Sequence, residues 1–111
     1  NADGSFRYPH DLMSGDQAPE AVELIKSILS RQADGSVVVV QVGFFTNLAR
    51  LLDDAEARAL VAKKVSRLSL MGGAFQTVNA DTRYLEYNVK VDIPAAQKLA
   101  RDWPCSVQFQ R

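Results

Sequence analysis

The apolar positions of this chain repeat with two different periods, and each period predicts a different kind of element. Residues 18–31 carry apolar side chains at the three- and four-residue spacing of an amphipathic helix, at Ala21, Leu24, Ile25, Ile28 and Leu29. Pro19 suits the first turn of this helix, with Asp16 or Gln17 as the preceding cap. The turn at residues 34–35 then ends it.

Two runs of β-branched and other apolar residues predict strands. Val37–Val42 is almost continuously apolar, which is typical of a strand covered on both faces in a parallel sheet. Val65–Met71 is the second run. Between them we expect a short helix over residues 48–52, capped by Thr46 or Asn47.

A further helix is predicted to begin at Asp53 or Asp54 and to run through Lys64, with Ala57, Leu60 and Val61 as its apolar stripe. After a long polar loop, residues 88–91 suggest a short extended piece. A helix is then expected from Ile93 to about Asp102, followed by a last strand over residues 105–109. Alternating helices and strands predict an α/β fold with a parallel sheet over residues 18–111, after an irregular segment at residues 3–17.

Composition narrows the classes of partner. The 111 residues include 13 basic and 13 acidic side chains, so the net charge is zero and we expect neither nucleic-acid nor membrane partners. One cysteine, Cys105, excludes an internal disulfide and fits a reducing, cytoplasmic location. No run is apolar enough for a membrane span, and no leader peptide is expected. Asn1 and Ala2 look like the scar of an expression tag, and we expect an excised piece of a larger protein.

The candidate chemistry follows the two main strands. The first strand leads into Gly43-Phe-Phe-Thr-Asn47, and the second ends in Met71-Gly-Gly73. Both turns lie at the carboxyl edge of a parallel sheet, where ligands bind in open α/β folds, and glycine lets the backbone approach a ligand closely. Glu86 and Asn88 follow at the end of a long polar loop, a carboxylate and an amide two residues apart.

Simpler interpretations remain open at each of these positions. The two glycines after Met71 also suit a tight turn behind a core strand, and Glu86 and Asn88 also suit the exposed face of an edge strand. His10 is the only histidine and is most simply a solvated side chain. Cys105 is most simply an inert buried thiol.

The turns and their order resemble the inosine–uridine-type nucleoside hydrolases. That family has Gly-Pro-Leu-Thr-Asn-Leu-Ala after one strand, where residues 43–49 read Gly-Phe-Phe-Thr-Asn-Leu-Ala. Its Met-Gly-Gly-Ala-Phe stands unchanged at residues 71–75, and its Glu-Phe-Asn is similar to residues 86–88. Residues 91–96 resemble its Val-Asp-Pro-Glu-Ala-Ala element. The resemblance covers roughly residues 18–109.

The resemblance implies a Rossmann-like fold of which only the central portion is present, from an enzyme that hydrolyses the N-glycosidic bond of ribonucleosides. It implies ribose-binding roles for Met71, Asn79, Glu86 and Asn88, and a calcium ligand in the backbone carbonyl of Thr46. The family's Asp-rich motif is absent, so no catalytic residue is expected here. The segment alone is expected to be inactive and to bind no calcium, whereas the intact parent is expected to be a calcium-dependent homo-oligomer.

A rival interpretation is a non-catalytic binding or structural domain that retains the scaffold of the family. Two departures motivate it. Phe44 and Phe45 replace the family's Pro-Leu, and the interval from Asn79 to Glu86 is one residue longer than the resemblance leads us to expect. Base specificity is not fixed by any motif in this chain.

Overall fold

A computed structural model describes residues 3–8, 10–80 and 84–110 of the chain. The expected tag scar at residues 1–2 lies outside these ranges. A 3₁₀ turn at Gly15–Gln17 precedes the regular elements. These are α1 (Ala21–Ser30), β1 (Val37–Gln41), α2 (Thr46–Asp53), α3 (Ala55–Lys64), β2 (Val65–Met71), α4 (Tyr87–Val91), α5 (Ile93–Asp102) and β3 (Ser106–Gln110).

The three strands form one parallel sheet in the order β1-β2-β3. Val39 of β1 lies opposite Leu68 of β2, and Leu68 lies opposite Val107 of β3. This confirms the predicted α/β class with parallel pairing. Since the strands are parallel, the turns after β1 and β2 share one edge of the sheet, as the sequence predicted.

Within the described residues, helices cover only one face of the sheet. Leu68 is fully buried beneath the helices, together with Leu51, Val61 and Leu99. On the other face, Val38 is 45% exposed and Val40 is 67% exposed, so the prediction that β1 is covered on both faces is wrong for this chain. The reason is topological, because right-handed crossovers between strands in sequential order place every connecting helix on the same side.

Helix α1 begins later than the sequence suggested. Glu20 is its N-cap and accepts from the Glu23 backbone N–H, whereas Asp16 and Gln17 belong to the preceding 3₁₀ turn. The predicted apolar face is partly wrong. Val22 and Leu29 are buried and Ile25 packs against the core, but Leu24 and Ile28 are exposed. The face that meets α3 is therefore rotated from the predicted one.

Helix α3 follows the sequence prediction closely. Its N-cap Asp54 accepts from the Ala57 backbone N–H at 2.9 Å, and Ala57 and Val61 are fully buried. Lys26 of α1 reaches the same Asp54 carboxylate at 2.9 Å and Glu56 at 3.0 Å. The hydrogen bond from the Ala57 amide, and next the one from Lys26, lower the pKa of Asp54. The pKa of Lys26 is raised, first by its hydrogen bond to Asp54.

Two elements near the sheet edge differ from prediction. Helix α2 starts at Thr46, and its N-cap Phe45 makes no side-chain cap hydrogen bond, so neither Thr46 nor Asn47 is the cap. Residues 88–91, expected to be extended, belong to α4 because the Glu86 side chain caps that turn of helix. Helix α5 and strand β3 lie where predicted. Within the described residues, no helix combines the length and apolarity needed to cross a membrane.

Candidate functional site

The turn after β1 is fixed by a buried aromatic ring. Phe45 is 2% exposed. A Cβ atom on Gly72 would lie 2.7 Å from Cζ of Phe45, closer than side chains pack, so Gly72 leaves the space that this ring occupies. The Gln41 side-chain amide donates to the Phe44 carbonyl at 2.8 Å. The turn is therefore held both by the end of β1 and by the end of β2.

Gly73 meets a second aromatic ring. Its φ angle is +83°, a left-handed conformation that favours glycine, and a Cβ there would lie 3.0 Å from the Phe75 ring. Phe75 in turn packs edge-on against Phe109 of β3, with ring centroids 5.4 Å apart. Packing at Gly72 and the left-handed backbone at Gly73 therefore account for both glycines, in agreement with the tight-turn interpretation, and neither glycine by itself indicates a ligand.

The start of α2 is joined to the start of α5. The Thr46 hydroxyl donates to the Asp92 carboxylate at 2.6 Å, across 46 positions of sequence. The other oxygen of Asp92 accepts from the Ala95 backbone N–H at 3.1 Å and so caps α5. These hydrogen bonds, that of Thr46 first, lower the pKa of Asp92. One carboxylate thus serves two elements.

Three of the predicted ribose-binding residues lie together at the end of β2. The Asn88 side chain, 8% exposed, donates through Nδ2 to the Met71 carbonyl at 3.1 Å. The Glu86 carboxylate accepts from the backbone N–H groups of Asn88 and Val89, at 3.1 and 3.2 Å. Each oxygen of a carboxylate has two lone pairs, so Glu86 retains acceptor capacity beyond its cap. The Met71 side chain is exposed at this edge.

The fourth predicted residue, Asn79, is placed differently. It lies exposed in the loop after β2 with a φ angle of +50°, next to Ala80 at +63°. A cavity of about 240 Å³ in this loop is lined by Phe75, Tyr84 and Glu86 among others, but not by Asn79. In the described part of the loop, no hydrogen bond joins Asn79 to Glu86 or Asn88. Its role in ribose binding stays a prediction.

The described residues bring together too few acidic side chains to form a calcium site. Within the described ranges, no group of three or more His, Cys, Asp or Glu side chains is arranged to hold a metal ion. Thr46 is the first residue of α2, so its carbonyl also serves the hydrogen bonding of the helix. Calcium takes six to eight oxygen ligands. The described residues do not by themselves fit the ion.

Comparison with known proteins decides the family. A family model described as inosine-uridine preferring nucleoside hydrolase matches residues 3–109, which is nearly the whole chain. The chain belongs to this nucleoside hydrolase family. An uncharacterized protein of Schizosaccharomyces pombe is 32% identical over 77 residues, which are 69% of this chain. The aligned region is 24% of the yeast protein, so the chain spans about a quarter of that relative.

The nucleoside hydrolase match begins earlier than the resemblance in the motifs, since it includes residues 3–17 as well. Two features of the site were missed from the sequence. The burial of Phe45 leaves no periodic signal, because the residue stands in a turn. The cap of α5 was detectable, since Asp92 shortly before Pro94 is a typical helix start. The second hydrogen bond of Asp92, from the Thr46 hydroxyl, was not detectable from the sequence.

Proposed function

We propose that this chain is the ribose-binding portion of a nucleoside N-ribohydrolase, which splits a ribonucleoside into ribose and free base. The observation that carries the proposal is the cluster of Met71, Glu86 and Asn88 at the carboxyl edge of the sheet, in a chain of the nucleoside hydrolase family. A parallel sheet presents this edge to ligands.

Each residue of the cluster has a distinct task in the proposal. The Glu86 carboxylate accepts hydrogen bonds from ribose hydroxyls, and the Asn88 side-chain amide binds a neighbouring hydroxyl. The exposed Met71 side chain gives the sugar an apolar surface to rest on. Cleavage of a glycosidic bond develops positive charge on the sugar, which a nearby carboxylate stabilises. Of these three residues, only Glu86 lines the loop cavity.

The general base and most of the metal site are not assigned to this chain. The Thr46 backbone carbonyl stays a proposed calcium ligand of the intact hydrolase, where bound calcium would orient the ribose hydroxyls and acidify a water molecule. The chain alone is proposed to be inactive. We further propose that the intact protein is a cytoplasmic homo-oligomer that acts on small nucleosides, without nucleic-acid or membrane partners.

A specific observation favours the rival function, a scaffold domain without catalysis. Both carboxylate oxygens of Glu86 already accept from the backbone of α4, and the Asn88 amide already donates to Met71. In a scaffold these bonds are the whole purpose of the two side chains. In a ribose site the same bonds hold the side chains in place while their remaining lone pairs and protons meet the sugar.

A sugar titration of the 111-residue chain distinguishes the two. We expect D-ribose at millimolar concentration to shift the amide resonances of residues 86–88, including the Asn88 side chain, in ¹H–¹⁵N spectra. D-arabinose, which differs only in the orientation of one hydroxyl, is the matched control sugar and should shift them less. E86Q should abolish the difference. Equal shifts, or no shifts, with both sugars would favour the scaffold.

A further inference from the structure

Asp92 stands between two helices of the candidate site and binds a third. It follows the last residue of α4 and precedes the first residue of α5. One carboxylate oxygen accepts from the Ala95 backbone N–H, and the other accepts from the Thr46 hydroxyl at 2.6 Å. Capping α5 needs only the first of these bonds, and a serine or asparagine would provide it equally well.

The segment from Asn88 to Asp92 is therefore attached at both ends. At one end the Asn88 side chain binds the Met71 carbonyl at the end of β2. At the other end Asp92 binds Thr46 at the start of α2. The intervening residues form a single helical turn, closed by the bond from the Lys90 N–H to the Glu86 carbonyl at 2.8 Å. A short turn held at two points transmits a displacement at one end to the other.

We infer that Asp92 is a positioning residue, which holds the Glu86–Asn88 segment in register with the turn between β1 and α2 through the Thr46 hydroxyl. Its consequence for sugar binding rests on the proposed function, whereas the mechanical coupling does not. In this positioning role Asp92 contacts no reacting atom. Breaking the bond between Asp92 and Thr46 should loosen Asn88, although among the described hydrogen bonds neither Thr46 nor Asp92 is bonded to Asn88.

The test uses the 111-residue chain and two matched variants of Thr46. T46V replaces the hydroxyl with a methyl group of similar size, and T46S keeps the hydroxyl. Hydrogen exchange at the Lys90 amide and the chemical shift of the Asn88 side-chain amide report on the segment. We expect T46V to accelerate exchange at Lys90 about threefold to tenfold, the effect of one lost hydrogen bond, while T46S stays near wild type.

A variant of Asp92 separates coupling from capping. D92S retains a good N-cap for α5 but is too short to reach Thr46 as well. It should reproduce the T46V changes at Lys90 and Asn88, while exchange at the Ala96 amide, within the first turn of α5, stays as in wild type. If T46V and T46S give the same exchange at Lys90 and the same Asn88 shift, Asp92 is a helix cap only and the inference is wrong.

The sugar titration distinguishes a failure of the coupling through Asp92 from a failure of the proposed ribose binding. If the coupling transmits to the sugar, T46V should weaken the response to D-ribose by about threefold to tenfold relative to T46S. A chain that shows the exchange difference but no response to D-ribose keeps the coupling and loses the proposed function. A chain that binds D-ribose equally well in T46V and T46S, with equal exchange, keeps the function and loses the coupling.

Discussion

Phe45 and Phe75 each follow a strand by only a few residues, yet they belong to two differently built halves of the candidate site. Phe45 is 2% exposed and packs onto Gly72, in a turn that is also held through Thr46. Phe75 is 58% exposed, and its ring packs edge-on against Phe109. We call residues 43–46 the β1 corner and the described residues 74–80 and 84–85 the β2 loop.

The two halves differ in their place in the candidate site. The β1 corner is packed and supports it, whereas the β2 loop presents exposed side chains. The β1 corner is joined to α5 and to the end of β2 by buried or short contacts, so it serves as a fixed reference for the site. The β2 loop carries exposed side chains, among them Phe75 and Tyr84, around a cavity that also touches Glu86. Exposed loops on a rigid support are where binding residues are commonly found.

Truncating the two rings should separate the β1 corner from the β2 loop by the largest difference in stability. F45A should lower the free energy of unfolding by about 3–5 kcal/mol, because it removes a buried aromatic side chain from the core. F75A should lower it by about 1 kcal/mol or less, the value of an edge-on aromatic pair at the surface. Urea unfolding followed by circular dichroism measures both. Equal losses in the free energy of unfolding would mean that the two rings contribute equally to stability, contrary to this comparison.

A smaller effect is expected from filling the space above Gly72. G72A should cost about 2–3 kcal/mol, since the added Cβ meets the Phe45 ring at 2.7 Å. G43A is the matched control, because a Cβ there meets only Gln41 Nε2 at 3.8 Å, an ordinary contact. Its unfolding midpoint should stay close to that of the wild type. A harmless G72A would show that the ring of Phe45 does not lie against Gly72.

The same chemical change can be made at Asn88, which is bonded to the end of β2, and at Asn79 in the β2 loop. N88D keeps the shape of the side chain but replaces the donor to the Met71 carbonyl with an acceptor, which should cost roughly 1–2 kcal/mol. N79D makes the same exchange at an exposed left-handed position that aspartate also tolerates, and it should stay within about 0.5 kcal/mol. Thermal unfolding of the two variants side by side is the measurement. A larger loss of stability in N79D than in N88D would show that the Asn79 side chain helps to hold the fold together.

Acid should destabilise the helical layer through Asp54, which joins α1 to α3. The folded-state pKa of Asp54 is lowered, so its contribution to stability is present above the ordinary carboxyl pKa of 3.8 and is lost as the pH falls through the lower folded value. D54N retains a capping side chain but does not titrate. Between about pH 5 and about pH 2 the wild type should therefore lose more stability than D54N. Urea midpoints across this range measure it, and parallel losses would contradict the lowered pKa.

The sequence predicted the parts of this fold that depend on local period. The strand Val65–Met71, helix α5 and the buried stripe of α3 lie where apolar spacing and caps placed them. Parallel pairing followed from the order of the elements. The exposure of one sheet face did not follow, because a run such as Val37–Val42 looks the same whether one or both of its faces are covered.

In the candidate site, too, the features with a local sequence motif were predicted and those formed by distant residues were not. Motifs identified Met71, Glu86 and Asn88, and the structure brings these three together. The bond between Thr46 and Asp92 joins residues 46 positions apart, and no local pattern encodes such a pair. The helical form of residues 87–91 was also missed, since it depends on the Glu86 cap more than on an apolar period.

The proposed nucleoside hydrolase activity is tested by ribose release from the protein purified from its natural source, with its intact mass measured in the same preparation. Inosine and uridine are the substrates, and calcium is added or chelated. We expect a polypeptide longer than 111 residues that releases ribose from at least one of these nucleosides in the presence of calcium. A correctly folded protein that releases ribose from neither nucleoside would contradict it and would leave a nucleoside hydrolase scaffold without the reaction.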